Sequence, residues 1–537
     1  MATSPSEVPS LRKDGVGERP FRRLLIANRG EIAVRIIRAC RDLGIETVAV
    51  YSDADVHALH VRLADDAVRL GPPPPTESYL RIDAIVTAAR STGAEAIHPG
   101  YGFLAERAAF ARAVDDAGIV FVGPPSATID ALGDKLHARR LARDAGVEIV
   151  PGTLEPVAVE RPNQVSSIVA EADGIGYPML VKAAAGGGGR GMRRVARAAD
   201  LPEALVAGSR EADAAFGDGR VYLEREIAPA RHVEVQLLGD ADGRVVALGE
   251  RDCSLQRRHQ KLVEEAPAPG LDGDARRRLH QMAVRIGLAA GLRNAATAEF
   301  LLDPGGAFHF LEVNTRLQVE HGVTELVAGI DIVTEQIRIA AGQPLSAEVL
   351  RAAEQAGEPI GHAIEVRLTA EDPARGFAPT PGRVTRWRLP TGPGVRVDTG
   401  LEEGDRIAPE YDNLMAKLMV HGPTRTAALD RLRRALDEIE IGGVQTTVPF
   451  HRFVAADPSF RAGELSTTWV EEHWDGEADY RHAVRLAQLA AGVVALRDAS
   501  TAGVAVTRAG AGPPAAAASD GAWLRAAREL AIDRWPR

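Results

Sequence analysis

The chain has 537 residues, of which 45% are hydrophobic, 26% charged and 4% aromatic. This composition is typical of a globular protein with several cores and excludes a disordered or fibrous chain. A formal net charge of -10, from 64 basic and 74 acidic residues, gives no general attraction to nucleic acid or anionic lipid. Cys40 and Cys253 are the only cysteines, which excludes a disulfide framework and favours a reducing compartment. The sequence therefore predicts a cytoplasmic protein that binds neither nucleic acid nor a membrane.

The N-terminus and the apolar stretches give two further expectations. Residues 1–20 carry Ser, Pro, Glu, Lys and Arg without the apolar core of a signal peptide, and we interpret them as a flexible tail. The longest apolar stretches, such as the one around 486–496, are interrupted well before the roughly eighteen residues that a bilayer-spanning helix needs. No transmembrane helix is expected.

Lysine is the exception among the basic residues of this chain. The five lysines are Lys13, Lys135, Lys182, Lys261 and Lys417, and all other basic residues are arginines. Lysine supplies a compact point charge that suits phosphate or carboxylate, and arginine does not replace it at such a site. Each of the four interior lysines is therefore a candidate site residue, unless the bias is genomic and the lysines are chance remnants.

The first 124 residues alternate as in a Rossmann-like α/β domain. A strand at 23–28, a helix at 31–43 and a strand at 46–51 form a βαβ unit. A further helix is predicted at 82–90, and further strands at 95–98 and 119–122. The turn after the first strand has a single glycine, Gly30, so Asp53 at the end of the second strand is weak evidence for a NAD ribose.

A glycine-rich hairpin characterises the next region. Ser126 caps a predicted helix that runs to residue 146 with Lys135 in its middle, and a strand follows at 177–184. The four consecutive glycines at 186–189 lead into a returning strand at 192–195, a context that fits neither a Rossmann fingerprint nor a Walker A loop. The hairpin is predicted to close over phosphates as a mobile lid with Lys182 at its base. A merely mobile loop is the alternative.

A second hairpin pairs two carboxylates. Strands at 297–302 and 307–314 flank a Asp-Pro-Gly-Gly turn and place Glu299 opposite Glu312. Like charges that face each other across strands are destabilising, and a bound Mg²⁺ would reverse that effect. A dense polar cluster at 247–262 precedes this hairpin and contains Lys261.

The residues after this hairpin alternate strictly. From Glu312 to Glu320 every second residue is charged or an amide, which predicts a strand with its polar groups on one face. That face suits a metal at one end, an anion on Arg316 in the middle and a general base, Glu320, at the far end. An amphipathic surface strand would explain the alternation but not the pairing of Glu299 with Glu312.

The C-terminal third contains one more domain and an extension. A strand at 361–369 places Glu365 and Arg367 on one face, and a helix at 425–439 and a strand at 443–450 belong to a domain that ends near Trp474. The extension has a predicted helix at 481–496, an Ala/Gly/Pro linker at 501–521 and a short amphipathic helix at 523–535. It either packs back on the body or docks partner subunits.

Together these motifs resemble biotin carboxylase, the ATP-grasp component of biotin-dependent carboxylases. The resemblance covers nearly all of residues 22–470, and its blocks are IANRGEIAVRIIRAC (26–40), HPGYGFLAE (98–106), GDK (133–135), VKAAAGGGGRGM (181–192), RHVEVQ (231–236), ERDCSLQRRHQKLVEEAPAP (250–269), EVNTRLQVEH (312–321) and YDNLMAKL (411–418). It implies an α/β multidomain fold. The expected domains are a Rossmann-like N-terminal domain (21–136), an ATP-grasp lid subdomain (137–227), an ATP-grasp core (228–350), a biotin carboxylase C-terminal domain (351–474) and the extension (475–537).

The resemblance also implies roles for residues at matching positions. The ATP contacts would be Lys135, Lys182, Gly188, Gly189, Glu224, Arg225, Ile227, His232, Gln256, His259, Glu299 and Glu312. The ligands of Mg²⁺ or Mn²⁺ would be Glu299, Glu312 and Asn314, and bicarbonate would lie on Lys261, Arg316 and the backbone of Val319. The implied catalytic residues are Lys261, Arg316, Glu320, which would deprotonate bicarbonate, and Arg367, which would stabilise the biotin enolate.

The implied activity is that of an ATP-dependent ligase that forms a C–N bond. Bicarbonate attacks the γ-phosphorus of ATP to give carboxyphosphate, and CO₂ is then transferred to N1 of biotin, as the first half-reaction of an acyl-CoA carboxylase in fatty acid metabolism. A non-catalytic ATP-binding structural subunit and another ATP-grasp ligase are the alternatives. The sequence departs from the family pattern at Gly322, where proline is common, and at Arg225, where lysine is common, and neither change touches the chemistry.

The expected partners follow from where biotin is attached. Biotin is attached to a lysine in a hairpin that resembles Ala-Met-Lys-Met, and only Lys417 has a superficially similar context, inside the carboxylase body. We therefore expect biotin on a carrier protein that is a separate chain or part of a longer polypeptide, with carboxyltransferase subunits as further partners. The resemblance also implies a homodimer or a larger hetero-oligomer.

Overall fold

The computed structural model describes residues 19–157, 165–184 and 192–506. The N-terminal region is a five-stranded parallel sheet with strand order β3-β2-β1-β4-β5. Its strands are β1 (Arg23–Ile26), β2 (Glu46–Ser52), β3 (Asp66–Gly71), β4 (Ala96–His98) and β5 (Val120–Phe121), and its helices are α1 (Gly30–Asp42), α2 (Leu59–Leu63), α3 (Ile82–Thr92) and α4 (Ala108–Asp116). Helix α1 buries Ile32, Ile36, Ile37 and Cys40, which recur at helical spacing, against this sheet. The predicted Rossmann-like domain is thus confirmed.

Two helices replace the single helix that was predicted over 126–146. Helix α5 (Ser126–Gly133) and helix α6 (Lys135–Asp144) are separated at Asp134, whose backbone is extended and whose carboxylate accepts a hydrogen bond from the amide of His137. This side-chain cap begins a new helix, because it satisfies one of the free amides of the first turn. Lys135 is therefore the first residue of a helix, where its side chain lies at the end of the element rather than along its middle.

The next region is a small antiparallel sheet with strand order β7-β6-β8. Its elements are α7 (Val165–Ile175), β6 (Met179–Ala183), β7 (Arg193–Val195), α8 (Leu201–Phe216) and β8 (Val221–Arg225). Strand β6 and the returning strand β7 confirm the predicted hairpin. The glycines at 186–189 lie outside the described residues.

An eight-stranded antiparallel sheet forms the centre of the molecule. Its strand order is β13-β12-β9-β10-β11-β14-β21-β19. The elements up to residue 355 are β9 (Arg231–Gly239), β10 (Val245–Arg257), β11 (Gln260–Ala266), α9 (Gly273–Ala289), β12 (Asn294–Leu302), β13 (Phe308–Asn314), α10 (His321–Ala328), α11 (Ile332–Ala340) and α12 (Ala347–Gln355). Because β11 pairs with β14, the sheet continues across the predicted boundary at residue 350, and the domain limits stay predictions.

The C-terminal region completes this sheet and adds helices. Its elements are β14 (His362–Thr369), β15 (Glu371–Asp372), β16 (Ala378–Pro379), β17 (Gly382–Arg383), β18 (Arg386–Arg388), β19 (Val395–Thr399), β20 (Arg406–Ile407), β21 (Leu414–Gly422), α13 (Arg425–Glu438), β22 (Glu440–Gly442), α14 (Val448–Ala456), α15 (Pro458–Ala462), α16 (Trp469–His473) and α17 (Gly476–Val506). Helix α13 packs its apolar face on β14 and β21, and Trp469 is buried in the same core. Among the described residues, no helix has both the length and the apolar character needed to cross a membrane.

Two predictions in this region are wrong. The predicted strand at 443–450 is a turn followed by α14, which starts with a proline in its first turn, a position where the missing amide costs nothing. The predicted linker from residue 501 begins too early, since α17 extends to Val506. The predicted helix at 523–535 lies outside the described residues.

Candidate active site

The hairpin of β12 and β13 brings the two predicted carboxylates together. Glu299 lies directly opposite Glu312 in the strand register, as predicted. The Asn314 amide nitrogen donates a hydrogen bond to Glu299 at 2.8 Å, and the Lys135 ammonium lies 2.9 Å from the Glu312 carboxylate. Lys135 reaches this position because it begins α6, which packs on β13.

Lys261 joins this carboxylate pair to the rest of the site. Its ammonium lies 2.5 Å from Glu234, 3.0 Å from Glu299 and 2.7 Å from Glu320. Burial lowers the pKa of Lys261, but the three carboxylates outweigh it, so that the pKa is raised well above its ordinary value. The lysine is therefore fully charged. Its charge and that of His232 outweigh the effect of burial on Glu299 and lower the pKa of the Glu299 carboxyl.

The segment after β13 is not the predicted strand. The strand ends at Asn314, residues 315–319 are irregular, and Glu320 stands directly before α10. Glu106, which the sequence analysis did not single out, causes this departure: its carboxylate accepts hydrogen bonds from the Thr315 amide and from the Arg316 guanidinium. The alternating polar groups still converge, because Arg316 also donates to Asn314 and to Gln318.

The far end of the site contains the predicted base and the predicted biotin contact. The buried Glu320 carboxylate accepts from Lys261 and, at 3.0 Å, from the Arg367 guanidinium. Burial raises the pKa of Glu320, but Lys261, Arg367 and Arg251 outweigh it and hold the pKa well below its usual range. The Lys417 ammonium donates a 2.9 Å hydrogen bond to the Val319 carbonyl and thereby holds the turn that carries Glu320.

The predicted nucleotide residues are only partly brought together. Lys182 on β6 forms an ion pair with Glu224 on β8, so this carboxylate is already engaged. The same carboxylate lies 2.6 Å from Arg139, a fully buried arginine that the sequence analysis missed. Nearby, β8 ends at Arg225, whose side chain is exposed, and Ile227 is half-buried in the loop that follows.

The remaining ATP candidates lie on the core sheet. His232 is buried on β9 with its Nε2 3.1 Å from Glu299, and the carboxylate, against the effect of burial, raises the pKa of this histidine. Gln256 is buried near the end of β10, and His259 is exposed in the turn between β10 and β11. Gly188 and Gly189 lie outside the described residues.

The donor set fits a hard divalent cation. His232, Glu234 and Glu299 place ligand atoms within 4.8 Å of one another. Glu234 pairs with both Lys261 and the fully buried Arg251, whereas Glu299, Glu312 and the Asn314 amide oxygen lie on the paired strands β12 and β13, where one cation could replace the contacts that Lys261, Lys135 and Arg316 now make. Two carboxylates and an amide oxygen are suited to Mg²⁺, which is commonly completed by substrate phosphates.

Lysines and paired carboxylates lie at the junction of the small sheet β7-β6-β8 and the eight-stranded antiparallel sheet. This arrangement is typical of an ATP-grasp enzyme. Three family descriptions match the chain: "Biotin carboxylase, N-terminal domain" over residues 20–129, "Carbamoyl-phosphate synthase L chain, ATP binding domain" over 134–348 and "Biotin carboxylase C-terminal domain" over 365–472. The chain belongs to the biotin carboxylase family.

Relatives and solved structures agree with this membership. A biotin carboxylase of Nostoc sp. is 48% identical over 84% of this chain and 99% of its own length. The biotin-dependent acyl-coenzyme A carboxylase alpha3 subunit of Mycobacterium leprae is 49% identical over 84% of this chain and 75% of its own length. The crystal structure of a biotin carboxylase β-γ-ATP complex from Campylobacter jejuni superposes with a TM-score of 0.80 at 42% identity, covering 84% of this chain and 99% of that one.

A second solved structure carries further ligands. It is the biotin carboxylase domain dimer of the Hydrogenobacter thermophilus 2-oxoglutarate carboxylase, in complex with MgADP, ADP and bicarbonate. It has a TM-score of 0.80 and 44% identity, and the match covers 84% of this chain and 98% of that chain.

Proposed function

We propose that the protein catalyses the ATP- and bicarbonate-dependent carboxylation of biotin, as the first half-reaction of a biotin-dependent acyl-CoA carboxylase. The position of Lys261 is the observation that carries this proposal. Its ammonium contacts Glu299 on the side of the carboxylate pair and Glu320 on the side of the base. The Lys261 ammonium thereby lies between the carboxylate pair, where the phosphoryl donor would bind, and the base, where bicarbonate would bind.

The nucleotide would be held by charge. Lys135 and Lys182 now pair with Glu312 and Glu224, and each lysine can exchange its carboxylate for a phosphate oxygen. Glu299, Glu312 and Asn314 would hold Mg²⁺, which when bound neutralises charge on the phosphates. Gly188 and Gly189 are assigned to a lid over the nucleotide on the sequence alone.

Bicarbonate would lie between Lys261, Arg316 and the amide of Val319. When Lys261 turns from Glu320 to the anion, the strongest opposing charge leaves Glu320, and its pKa rises towards the range that a general base needs. Glu320 then takes the proton of bicarbonate, whose oxygen attacks the γ-phosphorus and releases ADP, giving carboxyphosphate.

Biotin would approach Glu320 from the side of Arg367, opposite the side on which Lys261 and bicarbonate lie. Arg367 presents its guanidinium there, held between Glu264 and Glu320. Carboxyphosphate splits into CO₂ and phosphate, the phosphate takes the N1 proton of biotin, and N1 attacks the CO₂. Arg367 can stabilise the negative charge that develops on the ureido oxygen when N1 loses its proton. Exclusion of water is needed because carboxyphosphate would otherwise hydrolyse.

Phosphate release tests the proposal directly. Purified full-length protein is supplied with Mg-ATP, with and without bicarbonate and free biotin. Release that requires bicarbonate and increases with biotin supports the proposal. ATP binding without any release, also in the presence of a biotinylated carrier, would favour a non-catalytic structural subunit. Release with a different acid in place of bicarbonate would indicate another ATP-grasp ligase.

The partners that we propose are a biotin carboxyl carrier protein and carboxyltransferase subunits, with two copies of this chain forming a dimer. The name of the Mycobacterium leprae relative, an acyl-CoA carboxylase subunit, and the dimer of the Hydrogenobacter thermophilus domain support this assignment. Helix α17 supplies a candidate docking segment, because Leu489 and Val493 on it are 67% and 65% exposed. Lys417 is not the biotin acceptor in this proposal, since it is fully buried between strands.

A further inference from the structure

A row of charged residues, all buried except the half-buried Arg367, crosses one face of the central sheet. Glu264 on β11 lies directly opposite Glu365 on β14, and Arg367 on β14 lies directly opposite Lys417 on β21. Residues that face each other in antiparallel strands share one side of the sheet, and so do residues two apart on one strand. Glu264 and Glu365 are both fully buried, although the proposed reaction uses neither of them.

Most oxygens of these two carboxylates have no partner. Glu264 Oε1 accepts a 2.6 Å hydrogen bond from Arg367 Nε. Within the described part of the chain, no hydrogen bond reaches Glu264 Oε2, Glu365 Oε1 or Glu365 Oε2, all of which are buried. A buried ionised carboxylate without hydrogen bonds is strongly destabilised, and two of them directly opposite each other also repel.

The surrounding cations do not neutralise both carboxylates. Arg367 and Lys261 face Glu264, Lys417 and Arg367 face Glu365, and the ionised Glu320 from the start of α10 faces both. Cys253 on β10 is also near, but burial raises the pKa of its thiol and leaves it neutral. Lys417 is mainly engaged by Glu31, Asp398 and the Val319 carbonyl, and Lys261 by three other carboxylates.

We propose that Glu264 and Glu365 share one proton, and that this pair positions Arg367 for the reaction. The shared proton joins one oxygen of Glu264 to one oxygen of Glu365 in a hydrogen bond, and the single remaining negative charge pairs with the Arg367 guanidinium. The positioning role rests on the proposed function, because there Arg367 meets biotin. Burial raises the pKa of both carboxyls, Glu264 raises that of Glu365 further, and Glu320 raises that of both, which agrees with one proton on the pair near neutral pH.

The alternative is a purely structural cluster in which both carboxylates are ionised. The two cases differ in what alkaline pH does. If the pair holds one proton, its loss adds a second negative charge beside Arg367, which competes with Glu320 and with the developing charge on biotin for the guanidinium. If both carboxylates are already ionised, no such step exists.

Infrared spectroscopy of the full-length protein tests the shared proton without any activity. We expect the carbonyl band of a protonated carboxylic acid at pH 7 in the wild type, and its loss in E365Q, in which the ionised Glu264 pairs with Arg367 alone. E265Q is the matched control, because Glu265 is the next residue on β11, equally buried but fully paired with His362 and Arg425. E265Q should keep the band. Absence of the band from the wild type at pH 7 would overturn the proposal.

The positioning role is tested by the pH profile of kcat for biotin carboxylation. In the wild type we expect kcat to fall in one step on the alkaline side, and E365Q should lose that step while E265Q keeps it. E264Q, which removes the partner of Arg367, should lower kcat by about tenfold to a hundredfold, the usual cost of losing a group that orients a site residue. Its KM for ATP should change by less than about threefold.

Each result has one meaning. An alkaline step that persists in E365Q, or a wild-type kcat in folded E264Q, would overturn the positioning role even if the infrared band is present. A wild-type protein without any bicarbonate-dependent activity would instead refute the proposed function, while the infrared band would still decide whether the pair shares a proton. Thermal melting of each variant checks that it is folded.

Discussion

Replacing Glu320 by glutamine removes the proposed base while keeping the shape of the side chain. The wild-type carboxylate accepts two charge-assisted hydrogen bonds, from Lys261 at 2.7 Å and from Arg367 at 3.0 Å. Lys261 keeps Glu234 and Glu299 in the variant, and Arg367 keeps Glu264, so neither cation is left unpaired. The amide oxygen can retain one of the two bonds, and we therefore expect a loss of about 1–3 kcal/mol in the free energy of unfolding.

The expected loss of activity is much larger than this loss of stability. A general base contributes about a factor of 10² to 10⁴ to the rate, which corresponds to about 3–5 kcal/mol of activation free energy. Bicarbonate-dependent phosphate release by E320Q should fall by that factor, while the affinity for ATP changes little, because Lys135 and Lys182 are untouched.

A control variant separates the chemistry from the packing. Glu325 lies on α10, the helix that follows Glu320, and is also buried and paired, with Arg35 at 2.9 Å and Arg396 at 2.7 Å. E325Q should lose comparable stability and keep bicarbonate-dependent phosphate release. If folded E320Q releases phosphate within about tenfold of the wild type, Glu320 is not the base and the assignment of this end of the site is refuted.

Three further predictions concern stability and assembly. K417M should lower the free energy of unfolding by about 3–5 kcal/mol in urea titrations, because it removes the ammonium that pairs with the buried Glu31 carboxylate, whereas Asp398 keeps Arg396; a loss below about 1 kcal/mol would contradict the ion pairing. Burial lowers the pKa of His98 to about 3 and that of His451 to about 4, so the unfolded state binds more protons below pH 6.5 and stability falls as the pH decreases. By pH 5 each histidine should cost about 2 kcal/mol, so H451Q should lose less stability than the wild type between pH 7 and pH 5 in urea titrations; an equal loss in both proteins would refute this. Deletion of residues 486–537, which removes Leu489 and Val493, should weaken co-purification with carboxyltransferase or carrier subunits but not phosphate release with free biotin; undiminished assembly would exclude the docking role.

Local patterns were sufficient to predict the parts of the structure that depend on near neighbours. The βαβ unit around α1 and the hairpin of β12 and β13 follow from apolar spacing and from the turn at 303–306. The pairing of Glu299 with Glu312 was predictable for the same reason, since hairpin register follows from the turn. The scarcity of lysine also pointed to Lys135, Lys182 and Lys261 before any fold was known.

Contacts between distant parts of the chain account for the failures. The alternating polar residues predicted a strand through residues 315–320. Instead, the carboxylate of Glu106, about two hundred residues earlier in the chain, accepts a hydrogen bond from the Thr315 amide, and the chain leaves the sheet at this point. Arg139 and Glu234 were missed because single charged residues within regular elements carry no sequence signal of the partner that buries them. The break at Asp134 was detectable in principle, because Asp is a preferred helix cap.

The reach of Lys261 shows how the sheet itself builds the site. Strand β11, which carries Lys261, is separated from β12 by β10 and β9, which amounts to about 14 Å on a flat sheet. Side chains stand roughly perpendicular to a sheet, so a lysine on a flat sheet would not meet Glu299.

The observed 3.0 Å contact between Lys261 and Glu299 therefore requires the sheet to curve around the lysine. Register irregularities occur in the pairing of β10 with both of its neighbours and between Glu299 and Phe300 on β12, and such bulges bend strands. A substitution that straightens β10 would thus separate the carboxylate pair from the base without altering any proposed catalytic residue. Bicarbonate-dependent phosphate release should then be lost while the nucleotide still binds.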